Sequence, residues 1–139
     1  MADEFDLQRF VDAQAPIYEW VLSELRFGRK ASHWMWVIFP QIAGLGYSTM
    51  AQRYAISGRA EAVAYAEHPV LGPRLRECTA LVNAVEGRTA HEIFGSPDDV
   101  KFRSSMTLFS LCLAAPDVFY AALNKYFGGE ADPLTGAGL

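Results

Sequence analysis

Three of the twelve basic residues, Arg26, Arg29 and Lys30, fall within five positions, directly before His33, Trp34 and Trp36. Cations beside flat aromatic faces are what a nucleotide or sugar-phosphate pocket requires, because the phosphate takes charge and donors while the base or sugar takes a stacking surface. The same residues also have a structural use: Arg26 and Lys30 can complement the C-terminal dipole of a preceding helix, and the tryptophans can fill core. Gln41, after Phe39-Pro40, is a polar group in apolar sequence that must find hydrogen bonds from backbone or ligand. Gly44-Leu45-Gly46-Tyr47-Ser48 is either a plain glycine turn or a place where backbone amides approach an anion, with Ser48 opening a helix. It matches neither the dinucleotide fingerprint nor the P-loop.

Asp98, Lys101, Ser104 and Ser105 form a second constellation. Spacings of three and four put them on one side of a helix, and that side turns apolar at Leu108, so the patch belongs at the rim of the core. Lys101 there either makes an ordinary i, i+3 pair with Asp98 or, partly buried, serves as an anion anchor or nucleophile. His33, His68 and His91 lack metal-ligand spacing, so neither a metal nor a cofactor is expected. No GxSxG occurs and neither cysteine has an electropositive context, which leaves no triad to propose. The candidates for chemistry are therefore His33, Asp98 and Lys101, and those for ligand binding are Lys30, Trp34, Trp36, Gln41, Ser48 and Ser104. Lys101 and the Lys30–His33–Trp34 segment are expected to meet across one pocket, because only residues 29–48 mix large aromatics with polar partners densely enough to face Lys101. Converging lysines would need an anion or carboxylate between them, which favours a phosphate-bearing ligand.

The elements that must position these residues read as helices. Asp6 can cap a first helix through Gln14, ended ahead of Pro16. Pro16 suits the first turn of a second, in which Ile17, Val21 and Leu25 repeat at i, i+4, i+8 and Gly28 is placed to end it. Residues 32–48 resist a period assignment, and Ser32 as a cap favours a helical turn. Further helices are expected from Ser57 to Glu67, across Leu71, Leu75, Cys78 and Val82 to a stop at Gly87, and after the Thr89 cap. Ser96-Pro97-Asp98-Asp99 combines an N-cap serine, an N1 proline and first-turn acids, and then Phe102, Met106, Phe109 and Leu113 form an apolar stripe that should lie central to the core. A last helix runs from about Pro116 to Phe127. The expected architecture is all-α, a single compact orthogonal bundle of about six to eight helices over residues 1–129, with 130–139 a frayed C-terminal tail.

The bulk properties agree with one folded domain. The chain has 139 residues, 51% hydrophobic and 20% charged, which excludes a disordered chain. A net charge of −4 gives no help to duplex nucleic acid, so any anion site must be local. Cys78 and Cys112 belong to no CxxC pair, the acidic N-terminus does not resemble a signal peptide, and no apolar stretch approaches the ~20 residues needed to span a bilayer. A cytoplasmic protein without a membrane partner is expected.

Several stretches together resemble a known family. DLQRFVDAQ, then K-x-x-H-W-x-W-x-x-F-P-Q-x-x-G-L-G-x-S from Lys30 to Ser48, HPVLGPRL from His68 to Leu75, and D-x-x-K-x-x-S-S-M-T-L-F from Asp98 to Phe109 look like the domain of unknown function 1810. The resemblance implies a small, mainly helical domain and assigns no activity. Its motif residues coincide with the two constellations above. Residues 62–79 are also similar to helical domains that act on ADP-ribose derivatives, where an acidic residue and a lysine lie near an aromatic clamp. Two functions follow as expectations. One is binding or hydrolysis of a nucleotide-like phosphate ligand such as an ADP-ribose derivative, with Lys30 and Lys101 on anionic groups, Trp34 or Trp36 stacking, His33 relaying a proton and Gln41 orienting the ligand; hydrolysis would fall at a sugar C1 bond. The other is a non-catalytic protein-interaction module.

Overall fold

The computed structural model describes residues 3–139, and all of its regular structure is helical. Asp3, not Asp6, opens the first helix: its carboxylate accepts from the Leu7 and Gln8 amides, both at 2.8 Å, satisfying first-turn donors that would otherwise lack partners. That helix, α1, spans Gln8–Gln14, and α2 spans Tyr18–Phe27. Gly28 ends α2 in the left-handed conformation at φ 81°, as the sequence predicts, and its N–H returns to the Glu24 and Leu25 carbonyls. A short α3 covers Met35–Ile38. The helical turn expected here is present, but Trp34 occupies its N-cap position and Ser32 is engaged elsewhere.

Ser48 caps α4, Thr49–Arg53, by accepting from Ala51 N–H at 3.1 Å. Then follow α5 (Arg59–Glu67) and α6 (Leu71–Asn83). The α5–α6 corner requires glycine at 72, because a Cβ there would stand 2.2 Å from the Ala66 carbonyl oxygen. Thr89 forms a capping box with Glu92 at the head of α7, Ala90–Phe94. Next come α8 (Asp98–Cys112), α9 (Asp117–Phe127) and α10 (Pro133–Ala137). The described residues thus hold ten helices instead of six to eight. The excess lies among single turns of four or five residues, too short to show a period: α3 and α7 fall where a helical turn and a Thr89-capped helix are expected, α4 follows Ser48, and α10 lies in the stretch expected to fray.

Helix α8 is central, packing against α3, α5, α7, α9 and α10. Phe102, Met106 and Phe109 are fully buried, whereas Leu113, expected to continue their stripe, lies just past the helix end and is half-buried. Phe102 sits in an aromatic cluster, edge-on to Phe39 at 5.0 Å and stacked on Phe94 at 4.6 Å.

Residues 130–139, expected to fray, instead pack on α8. Arg103 donates to the Glu130 and Ala131 carbonyls, and the Asp132 carboxylate accepts from Ser104 and Thr135 at 2.9 and 2.6 Å. Burial opposes charge on Asp132, but these donors outweigh it and lower its pKa.

Truncating Phe102 to Ala removes the ring that joins α8 to α3 and α7. A loss of about 3–5 kcal/mol in urea unfolding is expected, the range for buried Phe truncations. A loss below about 1 kcal/mol would place the ring outside the cooperative core.

Candidate functional site

The segment that carries Lys30, His33 and Trp34 is organised by a residue outside both sequence motifs. Glu24 lies on the buried side of α2, beside Val21 and Leu25, and is 8% exposed. Its carboxylate accepts from the Ala31 amide at 2.7 Å, the Ser32 amide at 3.0 Å, the Ser32 hydroxyl at 2.6 Å and the Trp34 indole N–H at 2.9 Å. Burial alone would raise its pKa; the hydrogen bonds from Ser32, Ala31 and Trp34 outweigh it and hold the group down at about 2. The segment is tied a second time where the Lys30 amide donates to the Ile93 carbonyl of α7 at 2.7 Å.

Held in this way, Lys30 reaches the first turn of α8. Its side chain is only 6% exposed, and its Nζ stands 2.7 Å from Asp98 Oδ2. Lys101, one turn further along α8, approaches the other oxygen of the same carboxylate at 3.5 Å. Each ammonium also lies over an indole: Lys30 over Trp34 at 5.2 Å from the ring centroid, and Lys101 over Trp36 at 4.9 Å. The result is one carboxylate between two cations, each backed by a tryptophan, with one formal positive charge in excess.

Lys30, His33, Trp36, Asp98 and Lys101 line a cleft of about 370 Å³, walled by Met35, Phe94 and Pro97. The two distant segments therefore do meet at one concavity. The remaining sequence candidates lie elsewhere. Trp34 is 2% exposed and belongs to the core, its ring pinned by Glu24 beneath Lys30. Gln41 and Ser104 line a separate, more apolar hollow of about 310 Å³ that shares Pro97 and Lys101 with the cleft and is closed by Asp132 and Leu134. Ser48 is exposed at the head of α4 and reaches neither concavity. Ser105 is buried with its hydroxyl unpaired among the described residues.

The Trp36 indole N–H likewise has no acceptor among the described residues, although the ring borders the cleft. The nitrogen itself is buried, so it is the ring and not the donor that the cleft presents. His33 is exposed at the same cleft. No nucleophile stands hydrogen-bonded to a base here, so what the arrangement offers chemically is fixed charge, an aromatic face and an imidazole at the edge. Among the described residues no group of three His, Cys, Asp or Glu could hold a metal ion, and no helix is long and apolar enough to cross a membrane.

The family model described as "Protein of unknown function (DUF1810)" matches residues 4–139. The chain belongs to this family. The DUF1810 chain is similar to the crystal structure of the conserved hypothetical protein Rv1873 from Mycobacterium tuberculosis, with 58% identity, a TM-score of 0.96, and coverage of 97% of this chain and 96% of that one. The curated proteins contain no match to it. These likenesses cover the whole helical fold, including α10, and leave the chemistry to be argued from the cleft.

Glu24 also sets a pH dependence for this DUF1810 domain. A carboxyl whose folded pKa is lowered from 4.5 to about 2 contributes stability that is complete above the higher value and is lost as pH falls through the lower one. The contribution corresponds to roughly 3 kcal/mol. Urea unfolding midpoints should therefore drop between about pH 5 and pH 2, and Glu24→Gln should be less stable at pH 7 with a flatter profile in that window. Equal slopes in the two proteins would show that Glu24 is not the group responsible.

Proposed function

We propose that the cleft between α3 and α8 binds a nucleotide-like, phosphate-bearing small molecule of the ADP-ribose type. The observation that carries this reading is the pair of lysines held over two indoles at a concave site, with a surplus positive charge in a chain that is acidic overall. Trp36 supplies an aromatic surface for a planar ring, and Lys101, partly exposed, supplies the charge a phosphate seeks. The two lysines do not themselves require a bound anion, since Asp98 already lies between them. In this reading Asp98 is a positioning group that orients both ammonium ions, and His33 is the one cleft residue placed to exchange a proton with a ligand.

A second reading, a protein-interaction module, draws on a different surface. Trp20 and Phe27 are 66% and 74% exposed and lie seven residues apart on α2, which places two large aromatics on one outward helix face.

Thermal unfolding with ADP-ribose, ADP, NAD and adenosine separates the two. Phosphate-bearing ligands should raise Tm, by an amount equivalent to about 2.7 kcal/mol at 100 times Kd. Lys101→Met should weaken them about tenfold, as expected for loss of one charge-assisted contact. If none of the four shifts the wild-type Tm, the ligand reading is wrong, and Trp20→Ser with Phe27→Ser becomes the informative variant for partner binding.

A further inference from the structure

The cleft does not end at Lys30. On the other side of that side chain lies a larger, polar groove of about 650 Å³, lined by Arg29, Arg88, His91 and Glu92, with Lys30 and Phe94 shared between the two concavities. We propose that this groove is a phosphate subsite, built on Arg29 and Arg88, so that the whole site takes an elongated ligand with a planar ring at Trp36 and a diphosphate running past Lys30 onto the two guanidinium groups. This rests on the reading of the α3/α8 cleft given above and adds the class of molecule: a nucleoside diphosphate or its ester, not a monophosphate.

The groove differs from an ordinary charged surface in three respects. First, its two arginines are not spent on internal ion pairs. Arg29 and Arg88 make no salt bridge among the described residues, whereas Lys30 and Lys101 share Asp98, His91 faces Asp99, and Arg103 and Lys125 each reach a glutamate. Two guanidinium groups lining one concavity without a carboxylate partner leave a positive potential that an anion would answer.

Second, Arg88 is held in place. One of its terminal nitrogens donates to the Gly28 carbonyl at 3.1 Å, and its side chain lies against Gly28, where a Cβ would stand 3.8 Å from Arg88 Cδ and 3.3 Å from Val85. The arginine is thus seated on the end of α2, and its other N–H groups stay free for a bidentate oxyanion. Third, the one acidic group lining the groove is already engaged. Glu92 closes the capping box by accepting from the Thr89 amide at 2.9 Å, and donors from Thr89 lower its pKa. Its charge complements α7 and moderates the groove without filling it.

The geometry also explains the burial of Lys30. As the wall between the two concavities it is fixed by Asp98 on one side, and its backbone by Ile93 on the other, so a diphosphate would pass a cation that is already ordered.

Isothermal titration with ADP, adenosine and inorganic pyrophosphate tests the proposal on the full chain, using wild type, Arg29→Gln/Arg88→Gln and Trp36→Leu. The double variant should bind ADP and pyrophosphate at least tenfold more weakly and lose most of the salt dependence, with adenosine binding unchanged. Trp36→Leu should weaken ADP and adenosine and leave pyrophosphate as in wild type. The circular dichroism of both variants should match wild type, which separates loss of binding from loss of the fold.

ADP binding that depends on Trp36 and is indifferent to the two arginines would overturn the subsite and leave the cleft reading standing. Pyrophosphate binding that depends on the arginines, without any binding of ADP or adenosine, would support the subsite and defeat the ring-binding cleft. No binding of pyrophosphate to wild type at low salt would overturn the subsite outright.

Discussion

Burying a carboxylate costs free energy that only a full set of donors offsets, and the chain gathers those donors for Glu24 from four groups within ten residues of it. That requirement shapes the molecule around it. To bring the Ala31 and Ser32 amides back onto α2, the chain must reverse direction immediately after Phe27, and Gly28 permits this by adopting a left-handed conformation. To bring the Trp34 indole onto the same oxygen, the ring must turn inward, which seats it beside Phe39 in the core. The exit from α2, the orientation of Trp34 and the start of α3 are thus consequences of one buried charge.

The loop so formed then meets α8 through a second carboxylate. Asp98 belongs to the first turn of α8, where a negative charge complements the helix dipole, and it receives Lys30 from the loop as well as Lys101 from its own helix. A buried lysine with a single partner would be costly; Lys30 has both the carboxylate and the Trp34 face. Its ion pair therefore locks the loop onto the central helix, and both partners line the cleft. Further along α8 the same logic recurs with Asp132, which draws 130–139 onto the helix through Ser104 and Thr135.

What the sequence reveals and conceals follows from the range of the interactions. The α2 stripe ending at Gly28, the α8 stripe of Phe102, Met106 and Phe109, and the Thr89 cap all rest on neighbours within one or two turns, and each is visible in the residues themselves. The meeting of Lys101 with Lys30 and His33 could be inferred because few segments of the chain carry the complementary composition. Glu24 was concealed although a signal existed: it interrupts the apolar side of an otherwise regular helix, and a charge on that side has to be answered by donors from somewhere else. Trp34 and Trp36 look equivalent in sequence, two positions apart, yet one seals against Glu24 and the other borders the cleft, a distinction set only by long-range packing. Ser48 satisfies its own helix end, Gln41 and Ser104 fall around a corner of α8, and the docking of 130–139 depends on Arg103 and Ser104, nearly thirty residues away.

The same ordering of polar contacts bears on what the site is suited to do. Free lysine side chains lose rotamer freedom when they grip a ligand, a cost of about 2 kcal/mol each. Here Lys30 is fixed by the fold and Lys101 is tethered by Asp98 and Trp36, so much of that loss has been incurred before any ligand arrives. A catalytic carboxylate, by contrast, must present free lone pairs to a substrate or water, and Asp98 has both oxygens turned toward ammonium groups. Rigid cations with an occupied carboxylate make a good cradle and a poor general base. On the reading proposed above, recognition is the first task of this cleft, with any chemistry left to the exposed imidazole of His33 at its edge.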